Sequence, residues 1–106
     1  MYKVIVLPEA ETEFNNYIDY IYSACDAPLT AIRHYNEILE LLYSLEKHAE
    51  IFQIEYLPSL QKYGNNVRRL NYKRMSVIYT VCDSTVYVHR IMAASLITNS
   101  LRLTQV

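Results

Sequence analysis

Arg68, Arg69, Lys73 and Arg74 fall within seven residues, just ahead of MSVIYTVC, a run with the composition of a buried strand. Two chemistries suit such a cluster. Fixed positive charge can stabilise a phosphate during phosphodiester cleavage, provided that a base and an acid stand nearby to move protons. Arg68 and Arg90 are the candidate sources of that charge, and His89 and Tyr79 the candidate proton carriers, histidine because it titrates near neutrality. Alternatively the cations are a docking surface, with Arg68, Arg69, Lys73, Arg74 and Arg90 as the binding residues for something anionic. Strand alternation points Arg68 and Arg69 to opposite faces, and likewise His89 and Arg90, so at most one of each pair is expected on a given surface.

Other chemistries find little support. One glycine, Gly64, cannot build a phosphate-cradling loop. Ser59 to Lys62 spells S-x-x-K, but without the companion motifs of the acyl-transfer enzymes that use it. His34, His48 and His89 lack the spacing of a metal site, so neither metal nor cofactor is expected, and His34 and His48 read as helix-surface residues. Cys25 and Cys82 stand alone and read as core filler.

The net charge of −1 conceals a segregation. Residues 1 to 61 carry three basic groups against ten acids, and residues 62 to 106 carry seven basic groups against Asp83 alone. The C-terminal half is therefore expected to face a nucleic acid or an acidic protein, and the N-terminal half to repel it. At 106 residues, 52% of them hydrophobic, the chain is expected to form one domain over 1–106 with its own core. With no signal-like start and no apolar run near the ~20 residues of a membrane span, a cytoplasmic protein is expected.

YKVIVL, residues 2 to 7, predicts a strand that Pro8 ends, and Pro8 with Glu9 and Glu11 suits the first turn of a helix. That helix carries Ala10, Phe14, Tyr17, Ile18 and Ile21 on one face, with Glu13 largely opposite. A break at Ser23 to Leu29 offers Asp26 as the N-cap of a second helix, whose apolar stripe is Ile32, Tyr35, Ile38, Leu39, Leu42 and Leu45. After an irregular stretch, NVRRL, RMSVIYTVC and TVYVHRIM predict three strands, with Asp83-Ser84 as a tight turn and Asn71 to Lys73 as a looser one. The fold class is α+β, in the order β-α-α-β-β-β, a helical hairpin packed on a mainly antiparallel sheet. The tail from about residue 97 has no clear period and is expected to be flexible or completed by a partner.

YKVIVLPEAETEFNNYIDYI, ILELLYSLEKH and VRRLNYKRMSVIYTVCDSTVYVHRIMAASLI together resemble the RelE/ParE superfamily, toxins of bacterial type II toxin-antitoxin and plasmid stabilisation systems. Arg68 matches the arginine that precedes the central strand in ParE-like members, Tyr79 the tyrosine at its end, and Arg90 the arginine of an R-V-x-H segment. Here that segment reads RIMAAS, with Ala93 where many members have histidine and Leu96 where they often have arginine. RelE-like ribosome-dependent mRNA nucleases add further cations and a C-terminal catalytic tyrosine, whereas this chain has no tyrosine after Tyr87. The resemblance implies a toxin neutralised by a cognate antitoxin with an acidic helical segment, and favours ParE-like inhibition of DNA gyrase by binding. A RelE-like mRNA endonuclease acting on the ribosome, or an inactive member, is the alternative, and a homodimer stays open.

Overall fold

The computed structural model describes residues 1–97, so the expected tail beyond that point lies outside the described residues. The chain forms β1 (Lys3–Val6), α1 (Pro8–Asp19), α2 (Pro28–His48), β2 (Arg68–Tyr72), β3 (Met75–Cys82) and β4 (Thr85–Ala93). The sheet order is β1-β4-β3-β2, with β1 parallel to β4 and the other pairs antiparallel. This is the α+β hairpin-on-sheet arrangement that the sequence predicts. No helix among the described residues is long and apolar enough to cross a membrane.

Both helices cover one face of the sheet. Ala10 and Phe14 of α1 and Ile38, Leu42 and Leu45 of α2 bury against Leu70, Val77, Tyr79, Val86, Val88 and Ile91. A smaller cluster of Leu60, Val67, Ile78 and Ile97 closes part of the opposite face, beneath a 3-10 turn at Pro58–Tyr63. β3 therefore lies between two strands and under two layers, which explains why its residues from Met75 to Tyr79 are all buried. Lys73 and Asp83 take positive φ values of 52° and 55°, the sign that the two tight hairpin turns need at their first central residue. The Asn71 to Lys73 turn is thus tighter and later than expected, at Lys73-Arg74, because Tyr72 still pairs with Met75.

Several local expectations are corrected. α1 continues through a π-helical turn at Tyr20–Ala24, so the break comes only at Cys25. Asp26 adopts a φ of 50° and turns the chain rather than capping α2, whose N-cap is Ala27 without a side-chain bond. The buried stripe of α2 begins at Ala31 and His34, leaving Ile32 and Tyr35 exposed. Both cysteines are exposed, not core filler.

His34 is the largest of these departures, since it is nine-tenths buried instead of lying on the helix surface. Its Nδ1 is 2.9 Å from the Tyr17 hydroxyl, and its ring meets Tyr72 edge-on. The Tyr72 hydroxyl donates to Glu37. Burial among these rings lowers the His34 pKa, with Lys73 and Arg33 acting the same way and Glu37 against them. The folded state thus binds protons less readily than the unfolded chain. The stabilisation is full above the usual 6.5 and drains away as pH falls from there through the lowered native value. Wild type should therefore lose more stability between pH 8 and pH 5 than His34→Gln in parallel denaturation curves. Equal losses would place the acid sensitivity elsewhere, His89 being the other histidine that burial pushes down.

Candidate functional site

The cations that lie together in sequence separate in space. Arg68 lies on the helix-covered face of β2, where its Nη1 donates to the backbone oxygens of Glu50 and Phe52. Those carbonyls belong to the segment just past the C-terminal end of α2, so Arg68 ties the helix exit to the sheet and complements the negative end of its dipole. Its Nε is buried without a partner among the described residues. Beside it a recess of about 450 Å³ opens between Glu50, Ile51, Phe52, Gln53, Ile54, Tyr56 and Arg68.

Arg69 points the other way, as alternation requires. Its Nε is 3.0 Å from Asn71 Oδ1 and 3.1 Å from Ser76 Oγ, and the Ser76 hydroxyl donates to the same Asn71 oxygen at 2.7 Å. Lys73 and Arg74 occupy the exposed β2–β3 turn, with Lys73 Nζ 5.5 Å from the Tyr72 ring centroid.

Tyr79 is fully buried, and its hydroxyl donates to the backbone oxygen of Ala49 at 2.6 Å. Burial is the main reason its pKa is pushed up to about 12, with Arg68 acting weakly in the opposite sense. The group is thus a structural tie between β3 and the end of α2.

His89 and Arg90 do not obey alternation. Tyr79 pairs with Val88 and Ile78 with Arg90, so His89 is an extra residue in β4. Such a β-bulge turns two successive side chains toward one side. Tyr63 meets both, its ring 5.3 Å from the His89 ring and its hydroxyl 2.9 Å from Arg90 Nη1. The expectation of opposite faces fails for this pair because strand alternation assumes an unbroken ladder. His89 Nε2 lies 2.8 Å from Thr80 Oγ1, and burial lowers its pKa.

Arg90 is clamped. Its Nε and Nη2 donate to Glu13 of α1, Nη2 at 2.6 Å, and Glu13 also accepts the Ile91 N–H at 3.0 Å. The bond to Glu13 is the chief cause of the raised Arg90 pKa. β1 pairs with β4 only as far as Val88, so Glu13 takes up an edge amide of β4 beyond that point. Sequence reading placed Glu13 opposite the apolar face. Its spacing from Ala10 and Tyr17, three and four residues, was the signal that it borders that face instead.

The four residues considered for cleavage chemistry fall into two pairs on opposite faces of the sheet, and His89 and Arg90 are one of them. Arg68 and Tyr79 are neighbours across β2 and β3 on the other face, each bonded to a backbone carbonyl. Among the described residues no group of three or more His, Cys, Asp or Glu could hold a metal ion.

The described residues thus form a small α+β domain with a helical hairpin over one face of a mixed sheet, with Arg68, Arg69 and Arg90 held in internal bonds. The family model for the ParE toxin of the type II toxin-antitoxin system parDE matches residues 4–95, and the chain belongs to this family. It is therefore a ParE-like member of the RelE/ParE superfamily. A solved structure described as the chromosomal ParDE toxin-antitoxin system from P. aeruginosa has the same fold, with a TM-score of 0.67 at 18% identity over 88% of this chain and 96% of that one. No curated protein sequence matches the chain significantly.

Proposed function

We propose that this toxin acts by binding DNA gyrase, without cleaving nucleic acid, and that a cognate antitoxin with an acidic segment silences it. The observation that carries this reading is the engagement of the candidate catalytic groups. Cleavage by attack of a ribose 2′-hydroxyl, which forms the 2′-O–P bond as the P–O5′ bond breaks, needs a base, an acid for the leaving 5′-oxygen and free positive charge converging on one phosphate. Tyr79 spends its proton on Ala49, Arg68 its Nη1 on the helix exit, and Arg90 two nitrogens on Glu13. His89 is left with Thr80 and Tyr63, on the opposite face from Arg68. The family and the charge segregation between the two halves support the antitoxin partnership.

Messenger RNA mapped by primer extension after induction without antitoxin should show no new codon-phased ends, while a DNA-damage response rises. Codon-phased cuts that disappear in His89→Ala would replace this reading with the nuclease one.

A further inference from the structure

The arginines of the sheet have different fates. Arg68 and Arg90 spend their guanidinium groups inside the protein, on the carbonyls of Glu50 and Phe52 and on Glu13. Arg69 does not. Its Nε is fixed by Asn71 Oδ1 and Ser76 Oγ, and Ser76 is fully buried, so the planar group is anchored at one corner. Both Nη nitrogens are left without an internal hydrogen bond among the described residues.

Two more cations stand at the end of the same strand. Lys73 and Arg74 are exposed and form the β2–β3 turn, where the Arg74 carbonyl accepts the Ala94 N–H at 2.8 Å and so ties the turn to the end of β4. Glu37, the acid that Lys73 influences, has its carboxylate on the Tyr72 hydroxyl. Among the described residues Arg69, Lys73 and Arg74 form no ion pair.

From Arg69 to Lys73 this margin runs about 13 Å at ~3.3 Å per residue. Its cations are strung along it rather than gathered round a pocket, which suits a line of charges better than a single carboxylate. Each strand of duplex DNA supplies a phosphate for every ~3.4 Å of its axis, so the margin spans about four of them. A guanidinium held by its Nε offers its two Nη groups to two oxygens of one phosphate. Residues 1 to 61, which include both helices, carry ten of the eleven acids, so the helical layer repels a polyanion and turns the β2 margin toward it.

We propose that Arg69, Lys73 and Arg74 form a phosphate-binding ridge for duplex DNA, by which the toxin grips the DNA that gyrase is working on as well as the enzyme itself. The gyrase part rests on the reading above, whereas the phosphate contacts do not. Contacts to phosphate alone carry no base preference, and three of them give a weak, salt-sensitive hold.

The test has two arms, both with full-length toxin freed of antitoxin. In the first, a short mixed-sequence duplex is titrated into the toxin and followed by NMR. Shifts are expected at the Arg69 side chain, Lys73 and Arg74, with affinity falling about fortyfold between ~50 and ~200 mM salt, from a log–log slope of about −2.7 for three phosphates. The slope should shrink to about −0.9 when Lys73→Gln and Arg74→Gln are combined, and to about −1.8 in Arg69→Met. If Arg69→Met does not fold, the double variant and the wild-type shifts still decide. In the second arm, half-inhibition of gyrase supercoiling should need at least fivefold more of the double variant than of wild type. Absence of shifts at these residues, or an unchanged slope in the double variant, would overturn the ridge. Double-variant inhibition equal to wild type would overturn the grip on gyrase-held DNA and leave the gyrase reading standing. Duplex binding as expected, with no inhibition by wild type, would overturn the gyrase reading and leave the ridge. A double variant that keeps the duplex but loses the antitoxin would assign these cations to an acidic protein and overturn DNA as the partner.

Discussion

Glu13→Ala is expected to destabilise the protein by about 2 to 3 kcal/mol. Removing one member of a buried ion pair costs about 3 to 5 kcal/mol because the other charge is stranded. Here 21% of the Arg90 side chain and 22% of the Glu13 side chain remain exposed, so water relieves part of that cost. Glu9, 3.7 Å from Arg90 but 65% exposed, replaces little of the interaction. The Ile91 N–H also loses its acceptor. Adding Arg90→Met should recover at least half of the loss, since the double variant no longer buries an unpaired cation. A denaturation midpoint that does not move in Glu13→Ala would show that the clamp contributes nothing to holding α1 on β4.

The second large effect lies in the core. Leu45→Ala should cost about 2 to 5 kcal/mol, because the side chain is fully buried between α2 and the sheet and truncation leaves a cavity. Ile32→Ala, on the same helix but 53% exposed, should stay within about 0.5 kcal/mol of wild type. Comparable losses at the two positions would reject the rotational setting of α2.

The order of elements was readable because each obeys a local rule. Pro8 with Glu9 and Glu11 opens α1, and β3 is mostly apolar because Met75 to Tyr79 are covered on both faces. The setting of α2 was not readable at its N-terminal end. Ile32 and Tyr35 outweigh Ala31 and His34 in any hydrophobic count, but the helix buries the smaller pair against α1 and Tyr72. Hydropathy could not reveal that Tyr17 would satisfy a histidine there. The site was legible as a list and not as an arrangement. Arg68 and Arg69 separate as alternation demands, whereas the bulge at His89 brings His89 and Arg90 to one side. A bulge depends on pairing between distant strands and leaves no mark in the spacing of β4 itself. The acceptors that restrain the arginines, Glu13 in α1 and the carbonyls of Glu50 and Phe52, lie far from them in sequence.

Toxicity is proposed to come from binding gyrase. Its most direct measurement is ATP-dependent supercoiling of relaxed plasmid by purified DNA gyrase, titrated with toxin freed of its antitoxin. Supercoiling should fall as toxin approaches stoichiometric excess, return on adding antitoxin, and respond to His89→Ala no more than twofold, because no proton transfer is involved. Undiminished supercoiling at a large excess of folded toxin would contradict the account.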